Sequence, residues 1–205
     1  MVDNQIAVSS VVEPRLLSAL LTVPREIFVP QGRQALAYSD APHALGGGRY
    51  MPAPVEFARI AQLAAIQPAD RVLDLGCGTG YSSAVLAHLA HTVIAYEQDK
   101  ELASIARHNL DRANLSNVSV ATGDEEAVLA GPFDAIVVET ALREPPPVLL
   151  DRLAPGGRLV AVIGAGRTGV ATIWTHTAGG VVSRSHFNAT LPALIERGAG
   201  EEFVF

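Results

Sequence analysis

The chain contains 205 residues, of which 49% are hydrophobic and 18% are charged, and its formal net charge is −6. These values indicate one domain with a substantial core and exclude a disordered chain. No apolar run approaches the roughly 20 residues of a membrane span, and the first ten residues lack the basic and apolar regions of a secretory signal, so neither is expected. The negative charge and the scattered Lys and Arg residues also argue against a nucleic-acid partner.

The first 70 residues show two helical patterns. Helices are predicted over Pro14 to Leu21 and over Val55 to Ile66. Between them, Ser39 to Pro54 is rich in Gly and Pro and is predicted to be irregular. This part of the chain therefore reads as an extension that precedes a more regular core.

From residue 71 onward, strand and helix patterns alternate. Strands are predicted at Arg71–Leu75, Thr92–Glu97, Val118–Thr122, Phe133–Glu139 and Arg158–Gly164, the last one after a turn at Pro155–Gly157. Helices are predicted at Tyr81–Ala90, at Asp99–Asn114 with Asp99 as N-cap, and in a short segment ending near Leu153. Apolar strands that alternate with helices indicate a parallel sheet covered on both faces.

The pattern changes after Gly164. Two β-like segments, Val170–His176 and Val181–Phe187, flank a hairpin-like turn at Ala178–Gly180, and the final residues 200–205 could form an edge strand. We therefore predict an α/β fold: a Rossmann-like three-layer sandwich whose mostly parallel seven-stranded sheet has an antiparallel C-terminal end.

A glycine-rich loop, Asp74 to Gly80, lies between the first strand of this core and its helix, where α/β sheets bind ligands. Its spacing is GxGxG and not the GxGxxG of dinucleotide folds. Three carboxylates lie around the same crevice: Asp74 precedes the loop, Glu97 ends the next strand and Asp124 follows the third. This charge suits a cationic ligand better than a pyrophosphate. S-adenosylmethionine carries a sulfonium and an ammonium and no phosphate, so we predict that it is the cofactor.

The positions of two carboxylates suggest roles in binding this cofactor. An acid at the end of the second strand, Glu97, can accept both ribose hydroxyls, and Asp124 can accept from the adenine amino group. The alternative for each acid alone is helix capping or solvation. If the ribose assignment is right, Glu97→Ala weakens cofactor binding more than it weakens folding.

Several segments resemble the protein-L-isoaspartate O-methyltransferase family over roughly Pro14 to Gly164. They are VPREIFVP (23–30), ALAYSDAPHALGGG (35–48), VLDLGCGTGYSSAVLA (72–87), GPFDAIVVETA (131–141) and RLAPGGRLVAVIG (152–164). The first is the most specific, because cofactor binding does not require it. The resemblance implies methylation of the free α-carboxylate of isoaspartyl residues in damaged proteins, with S-adenosylhomocysteine as the second product.

The same resemblance assigns cofactor contacts. It implies that Asp74, Gly76, Gly78 and Gly80 hold the methionine end, Glu97 the ribose, and Asp124 with Glu125 the adenine. The full set predicted to bind the cofactor is Asp74, Gly76, Gly78, Thr79, Gly80, Tyr81, Glu97, Gln98, Gly123, Asp124 and Glu125.

The acceptor side departs from the family pattern. Where the family carries Thr-Ile-Ser-x-Pro, this chain reads Tyr50-Met-Pro52-Ala-Pro54, so the serine position falls on Pro52 and an orienting hydroxyl is absent. The acceptor-site candidates are Tyr50, Pro52, His43 and Arg49. Unless a neighbour substitutes, losing this hydrogen bond costs about one to two orders of magnitude in rate, and Pro52→Ser is expected to recover activity.

Other departures are GDEE (123–126), where the family commonly has a second Gly, and a short C-terminus. Three functions stay open: isoaspartyl repair, methylation of another small-molecule or peptide carboxylate on the same fold, or cofactor binding without methyltransferase activity. Methylating an ionised carboxylate requires no general base, and the six histidines show no metal-ligand spacing.

The predicted organisation is a single methyltransferase domain. Residues 1–54 form the extension that contributes to the acceptor site, 55–164 the cofactor-binding core and 165–205 the C-terminal strands. The lone cysteine, Cys77, suits a reducing cytoplasm, and nothing in the sequence demands more than a monomer.

Overall fold

The computed structural model describes residues 1–123, 130–145, 147–164 and 168–192, which form a central sheet flanked by helices. In chain order the strands are β1 (His43–Gly46), β2 (Arg49–Met51), β3 (Arg71–Leu75), β4 (Thr92–Tyr96), β5 (Val118–Ala121), β6 (Phe133–Leu142), β7 (Leu153–Ile163), β8 (Gly169–Thr177) and β9 (Gly180–Ala189). The α-helices are α1 (Pro14–Thr22), α2 (Pro54–Ala64), α3 (Tyr81–Ala87), α4 (Lys100–Arg112) and α5 (Pro147–Leu150). Short 3-10 or π-helical turns cover Val2–Ile6, Ala7–Ser9, Arg25–Ile27 and Gln34–Leu36.

Within the described residues, seven strands form one sheet in the order β5-β4-β3-β6-β7-β8-β9. The strands from β5 to β7 pair in parallel, whereas β8 and β9 pair antiparallel to their neighbours. This arrangement confirms the predicted Rossmann-like fold with an antiparallel C-terminal end.

Two apolar clusters cover opposite faces of the sheet, which gives three layers. One joins alternate residues of the central strands, such as Val72 and Val137, to the N-terminal segment and to helices α1 to α4. The other joins the intervening residues, such as Leu73 and Ile136, to Leu149 of α5. This alternation along β3 and β6 explains why their sequences are mostly apolar, since both faces are buried.

The strand order reverses beside β3, which pairs with β4 on one side and β6 on the other. At such a switch point the connections leave in opposite directions, and a crevice opens outside the carboxyl ends of the strands. The glycine-rich loop that follows β3 and the acid that follows β4 both lie at this crevice.

The predicted irregular segment from Ser39 to Pro54 contains a small hairpin, so that prediction was wrong. Strands β1 and β2 pair antiparallel, with His43 opposite Met51. The turn between them needs three successive positive φ angles, of 101°, 57° and 79° at Gly46, Gly47 and Gly48. Only glycine adopts such angles without steric cost. The strands are too short for a readable alternation.

Element ends also differ from the predictions. Helix α3 ends at Ala87 rather than Ala90, and α5 ends at Leu150. The Pro155–Gly157 turn lies inside β7 as an irregularity in its pairing with β6, because β7 already begins at Leu153. The predicted edge strand at 200–205 lies outside the described residues.

The start of α4 confirms its predicted cap. The Asp99 carboxylate accepts from the backbone N–H groups of Glu101 (2.9 Å) and Leu102 (3.2 Å). This contact satisfies N–H groups that have no partner within the helix.

None of the described helices has the length and apolar character needed to cross a membrane. Across the same part of the chain, His, Cys, Asp and Glu side chains form no group of three that could hold a metal ion.

Candidate functional site

The glycine-rich loop is fixed between the ends of two neighbouring strands. The backbone N–H groups of Gly76 and Cys77 donate to the carbonyl of Tyr96 at 2.8 and 3.1 Å. Positive φ angles of 85°, 56° and 95° at Gly76, Gly78 and Gly80 turn the chain sharply into α3. Because these glycines carry no side chains, the loop leaves room for Arg49 over Gly76 and for Leu45, whose Cδ1 is 2.6 Å from the point that a Cβ on Gly78 would occupy.

Asp74, the last acid before the loop, is completely buried. Its Oδ2 accepts from the hydroxyls of Ser82 (2.6 Å) and Ser83 (2.5 Å) at the start of α3, while Oδ1 has no protein partner. Burial raises the pKa of this carboxyl to about 6, the two serine hydroxyls oppose the rise, and the nearby Glu97 adds to it. Asp74 thus keeps one acceptor oxygen free inside the site.

Glu97 follows β4 and joins three elements. Its Oε2 accepts from Arg49 Nη2 (2.7 Å) and from the backbone N–H of Gly78 (2.9 Å), and its Oε1 accepts from the N–H of Asp99 (3.1 Å). The side chain has no exposed surface, and that of Arg49 is 9% exposed. Glu97 therefore ties the β1–β2 hairpin to the glycine-rich loop through a buried ion pair.

Arg49 also lies directly over the loop. Its Nη2 is 2.8 Å from the point that a Cβ on Gly76 would occupy. The guanidinium thus covers the backbone that the cofactor is predicted to approach, and it engages the carboxylate predicted to bind the ribose. The ribose would therefore have to share the Glu97 carboxylate with Arg49 or displace the Arg49 guanidinium from it.

Two cavities meet at Gly76. The first, which we call the Pro52 cavity, has an empty volume of about 240 Å³. It is lined by Tyr50, Met51, Pro52, Phe57, Gly76, Cys77, Tyr81, Ser82 and Glu139. The second, the Gln98 cavity, measures about 330 Å³ and is lined by Arg49, Leu75, Gly76, Tyr96, Gln98, Thr140 and Leu142. Each cavity therefore combines predicted acceptor residues with predicted cofactor residues, and Asp74 and Glu97 line neither of them.

Arg25 anchors the wall of the Pro52 cavity and was missed by sequence reasoning. It is completely buried, donates from Nε to the carbonyl of Ala37 (2.8 Å) and from Nη2 to the carbonyl of Pro52 (2.5 Å), and stacks 4.4 Å from the ring centre of Tyr81. Arg25 belongs to the motif VPREIFVP, and its hydrogen bond to Pro52 connects this motif to the predicted acceptor site. A lone Arg in a turn gives no local sign of burial.

Glu139 was missed as well. It lies near the end of β6, is 3% exposed and lines the Pro52 cavity, and its Oε1 has no protein partner. Burial raises the pKa of this carboxyl well above its ordinary value, and Asp74 adds to the rise, while Arg25 and Arg49 oppose it. The signal that the sequence offered was an acid at the end of the mostly apolar segment FDAIVVE.

The remaining residues predicted for the site do not lie together in the structure. His43 is buried with Nε2 unpartnered and does not line either cavity. Thr79 donates from Oγ1 to the carbonyl of Phe28 (2.6 Å), a contact within the protein core. The Gly123 carbonyl accepts from the Tyr96 hydroxyl (3.0 Å). Asp124 and Glu125 lie outside the described residues.

The residues present fit S-adenosylmethionine. Asp74 keeps a free acceptor oxygen beside the loop, and the positive φ angles of the glycines turn the loop backbone toward the crevice. Arg49, which pairs with Glu97 and lies over Gly76, would have to make room for the ligand. Among these residues, Asp74 and the loop would hold the methionine end, while Glu97 and Gln98 would hold the ribose side. These contacts remain predictions.

Comparisons of the sequence with family models and with curated proteins identify the same family. A family model for protein-L-isoaspartate(D-aspartate) O-methyltransferase matches residues 1–191. A protein of that name from Koribacter versatilis is 41% identical over 167 residues, which is 80% of this chain and 75% of the relative. Another, from Aeropyrum pernix, is 38% identical over 197 residues, which is 92% of this chain and 76% of the relative.

Solved structures agree on the fold. A protein-L-isoaspartate O-methyltransferase from Plasmodium falciparum, crystallised with S-adenosyl-L-homocysteine, superposes with a TM-score of 0.78. The match covers 92% of this chain and 94% of that one at 24% sequence identity.

Proposed function

The chain belongs to the protein-L-isoaspartate(D-aspartate) O-methyltransferase family, and from this we propose that it methylates the α-carboxylate of isoaspartyl residues in damaged proteins or peptides. It is an S-adenosylmethionine-dependent O-methyltransferase. The observation that carries the proposal is that the match begins at residue 1 and includes the N-terminal segment, beyond the core that cofactor binding requires.

The main task of the protein in this reaction is to position the methyl donor and the acceptor carboxylate. When bound, S-adenosylmethionine supplies a methyl group to an acceptor oxygen and leaves as S-adenosylhomocysteine. The acceptor carboxylate is already ionised at neutral pH, so the chain needs no base to activate it. Positioning the reacting groups can lower the barrier by about 7–11 kcal/mol. The Pro52 cavity, which adjoins Gly76 of the loop, is where we place the acceptor.

Methyl transfer to an isoaspartyl peptide tests the function. We expect labelled methyl from S-adenosylmethionine to enter the isoaspartyl peptide and not the matched peptide with normal aspartate. Binding of S-adenosylhomocysteine without transfer to any peptide or cell-extract acceptor would favour a cofactor-binding protein. Transfer only to a different acceptor would favour the second carboxyl-methylation alternative.

Calorimetry checks the cofactor site directly. We expect S-adenosylhomocysteine to bind more tightly than NAD, because the crevice presents carboxylates and a GxGxG loop rather than a pyrophosphate site. Tighter binding of NAD would contradict the assignment of Asp74 and Glu97.

Pro52→Ser tests the acceptor wall. The change adds a hydroxyl to the cavity lining and keeps the backbone carbonyl that accepts from Arg25. We expect kcat/KM for an isoaspartyl peptide to rise by about 10- to 100-fold, since a hydrogen bond to a charged group contributes about 1.5–3 kcal/mol. Pro52→Ala removes the ring without adding a hydroxyl and is the matched control. Equal rates in all three proteins would show that this position does not govern acceptor binding.

We further propose a monomer that acts in the cytoplasm without nucleic acid, with residues 1–54 contributing to the acceptor site. The net charge of −6 and the buried free thiol of Cys77 support this view. Sedimentation at micromolar concentration tests whether the protein is a monomer, and a nucleic-acid binding assay tests whether it binds nucleic acid.

A further inference from the structure

Glu139 is a buried acid that the proposed chemistry leaves unused. It lines the same cavity as Pro52 and Tyr50, with only 3% of its surface exposed and Oε1 unpartnered. A buried polar atom without a partner is costly, so its persistence requires an explanation. Its place in the proposed acceptor cavity suggests that the missing partner is the substrate.

The backbone of β6 directs this side chain to the end of the sheet. Val138 pairs with Leu75, so Glu139 stands beside Gly76, where the cofactor loop begins. Against β7, the pairing of β6 shifts between Val137 and Ala141, which places Glu139 inside an irregular stretch. Bulges of this kind are common beside active sites, where they change the direction of a side chain.

The surroundings favour the neutral form of this acid. The ion pairs among the described residues are Arg15–Glu13, Arg49–Glu97 and Arg158–Asp70, so none of them includes Glu139. A buried carboxyl without an ion pair holds its proton, because a lone charge in a low dielectric is unfavourable.

Charged and titratable groups from four elements face Glu139. Asp74 on β3 favours the protonated form, and Arg25 in the N-terminal turn and Arg49 on β2 favour the ionised form. Arg49 donates to Glu97, and Arg25 donates to two backbone carbonyls while its Nη1 has no partner. Tyr81 at the start of α3 lines the same cavity with its hydroxyl unpartnered. Burial outweighs the two cations, and the pKa of Glu139 is raised well above its ordinary value.

We propose that Glu139 is a neutral carboxylic acid that donates a hydrogen bond to the non-reacting oxygen of the acceptor carboxylate. This inference rests on the proposed function, because it names the group that would hold the isoaspartyl carboxylate. An O–H···O⁻ hydrogen bond is among the strong ones, and buried neutral acids serve as donors in other active sites. The methyl transfer moves no proton, so Glu139 keeps its own.

The proposal predicts the direction in which kcat/KM for an isoaspartyl peptide changes with pH. The donor form exists below the pKa of Glu139 and is lost above it. The kcat/KM for an isoaspartyl peptide should therefore fall on the alkaline side, above the ordinary range of a glutamate. In E139Q the amide donates at every pH, so this limb should disappear. An ionised Glu139 acting as a base would give the opposite slope.

The experiment compares wild type, E139Q and E139A, with exposed Glu144→Gln as the matched control. We expect E139Q to stay within about threefold of wild type in kcat/KM for the peptide, and E139A to lose about 10- to 100-fold. Affinity for S-adenosylhomocysteine should change less than threefold in both. Thermal melting checks that each variant folds, and a protonated-carboxyl band should appear at pH 7 in the infrared difference spectrum of wild type against E139Q.

Each other outcome overturns the inference. Equal losses in E139Q and E139A would make Glu139 a base, and tenfold weaker cofactor binding would make it a ligand of the methionine ammonium. A missing infrared band would contradict the neutral state. An active wild type with an unaffected E139A contradicts this inference alone. A wild type that binds S-adenosylhomocysteine but neither binds nor methylates an isoaspartyl peptide contradicts the proposed function as well.

Discussion

Glu97→Ala is expected to lower the free energy of unfolding by about 3–5 kcal/mol and also to weaken binding of S-adenosylhomocysteine at least tenfold. The substitution removes the partner of Arg49, whose side chain is 9% exposed, and leaves the N–H groups of Gly78 and Asp99 without their acceptor. Breaking a buried ion pair from one side leaves an uncompensated charge. The expectation from the sequence was that binding would suffer more than folding; because Glu97 holds these buried contacts, we now expect the loss in folding to be at least as large as the loss in binding.

Arg49→Met separates the two roles of Glu97. It breaks the same ion pair, so a comparable loss in chemical denaturation is expected, but it keeps the carboxylate and removes the guanidinium that covers Gly76. We expect its affinity for S-adenosylhomocysteine in calorimetry to equal or exceed that of wild type. Exposed Glu101→Ala serves as the control. If Glu97→Ala and Arg49→Met weaken binding equally, the effect comes from the fold and the ribose assignment is wrong.

Arg25→Ala is expected to destabilise the protein by about 3 kcal/mol or more, since hydrogen bonds to charged groups contribute about 1.5–3 kcal/mol each. The change leaves the carbonyls of Ala37 and Pro52 buried without their donor. It also removes a completely buried side chain that stacks on Tyr81, and the resulting cavity adds to the loss. Urea denaturation gives the size of the effect.

The functional consequence of Arg25→Ala should be confined to the acceptor side. Arg25 holds the backbone of Pro52, whereas the cofactor loop is held by Tyr96. The KM for an isoaspartyl peptide should therefore rise while affinity for S-adenosylhomocysteine stays within a few-fold at a temperature where the variant is folded. Exposed Arg33→Ala is the control. A larger loss of cofactor affinity than of peptide affinity would place Arg25 with the cofactor machinery instead.

Local sequence patterns were sufficient to predict the core of the fold. The apolar runs of β3 and β6 and the capping of α4 by Asp99 depend on residues adjacent in sequence, so the parallel sheet and its antiparallel end were predictable. The glycine-rich loop was equally visible, because its turn into α3 requires the positive φ angles that glycine supplies.

The hairpin of β1 and β2 was not predictable from the same patterns. Its strands have four and three residues, too few for a period of two to be recognised. Its three-glycine turn resembles any glycine-rich loop until the strands are seen to pair. Only the fold places this hairpin over the cofactor loop.

The sequence by itself determined the succession of strands and helices along the chain, the glycine-rich loop and the acids near it, because each follows from residues close together in the chain. The tertiary structure alone decided which charges meet. Arg49 reaches Glu97 across 48 positions, Arg25 reaches Pro52 across 27, and Glu139 comes to line the cavity of Pro52. Such contacts depend on how separate elements pack, and burial then sets the charge state of each group, which no local pattern encodes.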